Sequence, residues 1–227
     1  MKKNLENSEK MRYLKKDEVI LILNRLAEAY PKAGCALKYD SLFHLLIAVI
    51  LSAQTTDISV NKETPVLFNQ YPTAKDLEKA NHEDVENCIN QLGLYKNKAS
   101  NIVKMSKMLV EKYNGYVPGT LEKLMELPGV GRKTANVVLS EGFGEQRIAV
   151  DTHVFRVANR IGLADADNVA YTEKQLMNSL PKYRWTEAHH LLIFHGRQCC
   201  KARKPLCEKC CLSDICKEKK EKEHVQL

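Results

Sequence analysis

Three groups of residues in this sequence have types and spacings that could do chemistry. The first is the turn Leu127-Pro128-Gly129-Val130-Gly131-Arg132-Lys133-Thr134-Ala135-Asn136, which joins two apolar helical patterns. Glycines permit backbone conformations that other residues resist, and they leave N–H groups uncovered. A helix starting near Arg132 points its free amides out of the turn, which makes an anion site suited to phosphate. Gly129, Val130, Gly131, Arg132 and Thr134 are the candidate phosphate contacts. Lys133 lies in the first turn of that helix, where its amine could serve as a nucleophile. At an ordinary lysine pKa only about one amine in 2,500 is neutral at pH 7. A helix N-terminus and partial burial both disfavour the ammonium. A pKa near 8 would leave roughly a tenth of the amines neutral at pH 7.

The second group is Val150-Asp151-Thr152-His153-Val154-Phe155-Arg156-Val157. Asp151 suits the N-cap of a following helix. It could also serve an amine as its carboxylate partner. A helix from Lys133 to Gly142 advances about 14 Å. An extended return to Asp151 can cover roughly 26 Å, so the chain can bring the two side chains together. His153 either supports such a site or is a structural histidine.

The third group is cysteine. Six of the eight cysteines crowd between Cys199 and Cys216, four of them as Cys200-x6-Cys207-x2-Cys210-x5-Cys216. Crowding at one end, without a signal peptide, points to metal rather than a disulfide scaffold. Four thiolates so spaced can wrap one tetrahedral ion or one cubane cluster, and zinc is the generic reading. Cys199 and Cys211 each adjoin a predicted ligand, and Cys199 competes with Cys200 for register. Lys201, Arg203 and Lys204 sit inside the x6 loop, either as phosphate contacts or as a solvated face. Cys35 and Cys88 read as isolated thiols.

The elements that must position these groups are helical. Lys16–Ala29 places Val19, Ile22, Leu23 and Leu26 on one face. The run Leu42–Leu51 is apolar on nearly all sides and reads as a central buried helix. A turn holding Gln54 follows, then a helical stretch that Pro65 is expected to break or kink. Short helices are expected over 74–80 and 82–91. Leu94 then stands in a turn before a long helix over 96–113, capped by Asn114-Gly115. Segment 121–127 is the first helix of the hairpin. Residues 143–150 read as extended, and helices follow over 152–161, 168–180 and 185–195. Residues 217–223 alternate Lys and Glu and read as a solvated end. Trp185 is expected in the core. With no convincing strand pairs, the fold class is all-α.

Composition sets wide bounds. The 227 residues suffice for one large or two small domains, and the net charge of +7 favours polyanionic partners without deciding among them. The first sixteen residues are Lys-rich without an apolar core, so no secretory signal is expected. The longest apolar run is ten residues, too short to cross a bilayer. A soluble, cytoplasmic protein is expected, with no membrane partner.

The joint pattern LPGVGRKTAN…VDTHVFRV, together with the x6, x2, x5 cysteine spacing, closely resembles the helix-hairpin-helix DNA glycosylases, and Lys133 points to their endonuclease III branch. The likeness extends over roughly residues 16–217. It implies a two-domain all-α fold, with a six-helix barrel over 35–145 that carries the hairpin at about 121–142. Residues 1–34 and 146–227 would form an iron–sulfur domain, with its cluster loop at 200–216. DNA would bind across the cleft, with Lys133 and Asp151 facing each other. The resemblance makes Lys133 the nucleophile at the sugar C1′ and Asp151 its assistant. A Schiff base would follow, then β-elimination of the 3′ phosphate. It implies a [4Fe–4S] cluster on Cys200, Cys207, Cys210 and Cys216, and duplex DNA bearing a damaged base or an abasic site as the partner of a monomeric enzyme. The implied substrates are oxidised or ring-saturated pyrimidines.

Gln54 in LSAQTTD and Leu94 in LGLYKNKA match positions where the family inserts side chains into the duplex, to fill the space a flipped base leaves. As purely local readings they are a loop-capping Gln and a turn-buried Leu. His153, Lys201, Arg203 and Lys204 join the DNA-contacting set. The nearest alternative is a monofunctional glycosylase for mismatched adenine or thymine, whose members lack lysine at the Lys133 position. A non-catalytic iron–sulfur DNA-binding module would not need both Lys133 and Asp151.

Overall fold

The computed structural model describes residues 14–225, so most of the leader-peptide reading falls outside it. Among the described residues there are twelve α-helices and no strands. The chain divides into two compact units, residues 35–147 and residues up to 34 with those from 148 onward.

In the unit of residues 35–147, helix α2 (Leu42–Leu51) is the centre. Ser41 starts it by accepting a hydrogen bond from the His44 N–H, and every residue from Phe43 to Leu51 is buried. Helix α3 (Asp57–Gln70) starts at Thr56, whose hydroxyl accepts from the Ser59 N–H. It runs unbroken through Pro65, against the expected break. An interior proline removes one backbone bond, and the burial of Val60, Thr64 and Leu67 on one face holds the helix around that loss.

Helices α4 (Ala74–Leu77) and α5 (His82–Cys88) are shorter than the sequence suggests. Helix α6 (Tyr95–Tyr113) buries Ala99, Ile102, Met105 and Leu109, and α2, α4 and α5 pack on it. Asn114 in the left-handed region and a Gly115 N–H to Leu109 C=O bond of 2.8 Å close it. Helix α7 (Leu121–Met125) leads into α8 (Arg132–Phe143), which packs against α7 and α2. The close approach of α8 to α2 depends on Gly142, since a Cβ there would stand 2.5 Å from the Leu42 side chain and 2.9 Å from that of Leu45.

The other unit is built on α9 (Thr152–Ile161), against which α10 (Val169–Ser179), α11 (Trp185–Gln198) and α12 (Lys217–Val225) all pack. Its buried stripe is Val154, Val157, Ala158 and Ile161. Each of the three larger side chains contributes about 1.5–3 kcal/mol. Helix α1 (Lys16–Ala29) lays its buried face, Val19, Ile22, Leu23 and Leu26, on α11. Trp185 is half-buried at the edge of this core, donating its Nε1–H to the Leu180 carbonyl at 3.0 Å. The Lys/Glu-rich end is not a free tail. It is helical as α12, and Glu218 pairs with Arg160 at 2.9 Å and Lys217 with Asp165 at 3.3 Å. Its i,i+4 pairs, Lys222 with Glu218 and Lys219 with Glu223, favour the helix that presents these contacts.

Candidate active site and cysteine cavity

The hairpin turn is shaped by its glycines. Leu127 and Val130 are buried and anchor it, and the Val130 N–H bonds to the Leu127 carbonyl at 3.1 Å. Gly129 has φ +79°, and a Cβ there would meet Cβ of Asn101 on α6 at 3.0 Å. Both the left-handed backbone and the close approach call for glycine. Gly131 is the extended N-cap of α8 and, as a glycine, has no side chain with which to cap the first amides of α8. Val130 turns its side chain inward and can offer a ligand only its backbone.

Arg132 and Lys133 are exposed in the first turn and Thr134 is half-buried. The helix N-terminus expected beside Lys133 is there; the partial burial is not.

Two further turns in this unit project side chains outward. Gln54 has φ 55° and Leu94 has φ 59°, both left-handed and neither glycine. Gln54 is exposed, and Leu94 is 58% exposed, so the buried-leucine reading does not hold. Leu94 is the N-cap of α6 and makes no side-chain cap.

In the other unit, Asp151 is the N-cap of α9. Its Oδ1 accepts from the N–H groups of His153 and Val154, both at 2.8 Å. Oδ2 accepts no hydrogen bond among the described residues. One oxygen thus fixes the carboxylate and the other is available for chemistry. Burial lowers the pKa of His153 below its ordinary value; the Asp151 carboxylate opposes this, and Arg156 and Arg197 add to it. Arg156 spans the distance from this helix start to the cysteine loop. Its Nη2 lies 3.2 Å from His153 Nδ1 and donates to the Gly196 carbonyl at 3.0 Å, while its Nε donates to the Cys200 carbonyl at 3.1 Å.

All eight cysteines are free thiols. Cys200, Cys207, Cys210 and Cys216 all line one cavity of about 260 Å³, together with Cys199, His195 and Arg160. The end of α11 and a 3₁₀ turn, Cys207–Lys209, carry the first of them, and Leu212, fully buried, pins the loop before Cys216. Arg160 holds the loop from α9. It donates to the Lys201 carbonyl at 2.8 Å and approaches Cys200 Sγ at 3.7 Å, and Cys216 Sγ donates to its carbonyl at 3.4 Å. Lys201, Arg203 and Lys204 are exposed on this loop.

The donor atoms that converge most tightly are those of His195, Cys199 and Cys210, all within 4.8 Å of one another. Hydrogen bonds from Cys211 and His195 hold the Cys210 thiol down to about 4. Burial, with the neighbouring Cys210, pushes Cys199 up to about 12. The sequence did not single out Arg156, Arg160 or His195. The two arginines stand four apart on one face of α9, which was the one local signal of a shared target.

The model of the HhH-GPD superfamily base excision DNA repair proteins matches residues 47–182. Endonuclease III of Bacillus subtilis (strain 168) is 46% identical over 88% of this chain and 92% of its own. Endonuclease III of Escherichia coli (strain K12) is 48% identical over 87% of this chain and 94% of its own. The chain belongs to the endonuclease III family of HhH-GPD base excision DNA repair proteins. Among solved structures it is similar to a trapped endonuclease III–DNA covalent intermediate, with a TM-score of 0.86 and 48% identity over 92% of this chain and 99% of that one. A thermostable thymine-DNA glycosylase, 24% identical with a TM-score of 0.80 over 91% of this chain and 97% of its own, shares the fold.

Proposed function

We propose that this protein excises oxidised or ring-saturated pyrimidines from duplex DNA and then cleaves the strand at the abasic site. The observation that carries this is Lys133 in the first turn of a helix whose N-cap is a glycine, at the end of a two-glycine turn. Phosphate is the natural ligand of those amides and brings the sugar of the same nucleotide to the lysine. Endonuclease III proteins are bifunctional glycosylase/lyases, and one has been captured as a covalent intermediate with DNA.

In this reading the neutral amine of Lys133 attacks C1′ and the damaged base departs. The link opens to a Schiff base, which acidifies the C2′ proton. Loss of that proton expels the 3′ phosphate and nicks the strand. Asp151, held by one oxygen, uses the other to stabilise positive charge on the sugar or to take the amine's proton. Gln54 and Leu94 fill the space left by the extruded base. Gly129, Val130, Gly131, Arg132 and Thr134 contact phosphate, as do Lys201, Arg203 and Lys204 on the cysteine loop. His153 supports Asp151.

The cysteine set suits a metal cofactor, and we assign it a [4Fe–4S] cluster on Cys200, Cys207, Cys210 and Cys216. All four line one cavity of about 260 Å³, and their spacing suits such a cluster. Burial raises the pKa of Cys200, and the guanidinium of Arg160 beside its sulfur opposes this, whereas Cys199 donates its thiol to the Leu206 carbonyl at 3.6 Å. Such a cluster would brace the basic loop. Free thiols throughout suit a reducing cytoplasm.

The test is a thymine-glycol duplex labelled on the damaged strand. Cleavage to a β-elimination product supports the reading. Release of free base with an intact strand would instead indicate a monofunctional glycosylase.

A further inference from the structure

Lys98 is the anomaly in the hairpin-bearing unit. A lysine only 5% exposed, it sits on α6 one turn beyond Leu94, its N–H bonded to the Leu94 carbonyl at 3.1 Å. Its ammonium donates to Thr55 Oγ1 at 2.5 Å, and Thr55 directly follows Gln54. That neutral hydroxyl is its one partner among the described residues. Burial lowers its pKa, and no neighbouring carboxylate offsets the shift. Buried charges are ordinarily paired. Replacing a poorly compensated one by an apolar chain of similar volume is commonly neutral or stabilising for a fold. Stability therefore gives no reason for lysine here.

What Lys98 joins does give one. It reaches from the first turn of α6, behind exposed Leu94, to the turn that carries exposed Gln54. Each of those residues is left-handed without being glycine, a conformation that persists only where its surroundings hold it. We propose that Lys98 is a positioning residue for base extrusion, tying the Gln54 turn to the Leu94 turn so that the two side chains enter the duplex as one rigid unit. This rests on the reading that Gln54 and Leu94 fill the vacated space. The benefit is entropic: two tethered wedges lose less freedom on entering DNA than two loose ones.

The experiment measures single-turnover cleavage of thymine glycol in two settings, paired in a duplex and opposite an abasic gap where pairing is already lost. Lys98→Met, Thr55→Val, the double variant and Leu94→Ala are compared with wild type, and melting temperatures are recorded. Lys98→Met is expected to melt at or above wild type. On the paired substrate it is expected to lose on the order of tenfold, as for one hydrogen bond from a charged group. On the gapped substrate the loss should be well below that. Thr55→Val also removes a 3.4 Å bond from its hydroxyl to the Ala53 carbonyl; it should show the same selectivity, and adding Lys98→Met to Thr55→Val should cost nothing further, because Lys98→Met removes only the bond that Thr55→Val has already broken.

Equal losses on the two substrates, no loss on either, or a drop in melting temperature that tracks activity would overturn the assignment. If Lys98→Met does not fold, Thr55→Val reads the same bond from its other end. Leu94→Ala separates the two ideas. Equal losses on both substrates for that variant sink the wedge reading and the brace with it. A selective Leu94→Ala beside an unselective Lys98→Met sinks the brace alone.

Discussion

Asp151 is seen in a structural role, and the proposed function gives it a chemical one as well. Its Oδ1 closes the start of α9 through two N–H groups, while Oδ2 has no protein partner among the described residues. Asn at this position keeps an oxygen for the cap and removes the charge. Asp151→Asn is therefore expected to shift the melting temperature by only a few degrees and to slow base excision about 10²- to 10⁴-fold. Melting curves and single-turnover excision on one preparation check this. A large fall in melting temperature with a small loss of rate would reduce Asp151 to its capping role. The local part of this was legible in sequence, since an aspartate before an apolar helical pattern is a capping signal. The partners at long range were not. Arg156 bonds to the Cys200 carbonyl 44 residues on, and Lys98 to Thr55 43 residues back. No local period encodes such pairs.

The proposed function places the phosphate contacts on the hairpin turn, where Gly129 is the left-handed glycine. Gly129→Ala would place a left-handed alanine whose Cβ stands 3.0 Å from Asn101 Cβ. A cost of about 1–3 kcal/mol in the turn is expected, appearing as weaker binding to abasic-site DNA by up to about a hundredfold. Gly131→Ala is the control, since a Cβ there meets nothing within 4 Å and its φ is negative. Equal affinity losses for the two variants, read by titration of a labelled duplex, would remove the geometric argument. At this scale the sequence was most informative where the apolar pattern was strong. The run Leu42–Leu51, and Lys16–Ala29 with its four buried apolar residues, stand as the pattern suggests. It was least informative where tertiary contact overrode a local rule. Pro65 sits inside an unbroken α3, and the Lys/Glu repeat at the end packs on α9 as α12.

For the molecule as a whole, the family is fixed by relatives 46% and 48% identical along most of the chain, and the all-helical class by the structure. The cofactor is the part that a chemical measurement decides. About four iron atoms per chain, with a broad visible absorption band, are expected. Cys200→Ser and Cys216→Ser should lose iron, while Cys199→Ser and Cys211→Ser should keep it. One zinc and no iron would favour a mononuclear site built on the convergent group of His195, Cys199 and Cys210. The four-cysteine spacing was plain in the sequence. The choice between Cys199 and Cys200 was not: Arg160 of α9 reaches the sulfur of Cys200, while Cys199 converges with His195 and Cys210, and neither contact is local in sequence.

The claim on which all of this depends is that Lys133 forms the covalent bond to DNA, and borohydride reduction tests it most directly. Protein incubated with a thymine-glycol duplex and borohydride is expected to yield a stable protein–DNA adduct, and peptide mapping should place the bond on Lys133. Lys133→Gln should give no adduct and no strand cleavage while binding the duplex with affinity within a few fold of wild type. Undiminished trapping by Lys133→Gln, or a map that places the bond on another residue, would contradict the account.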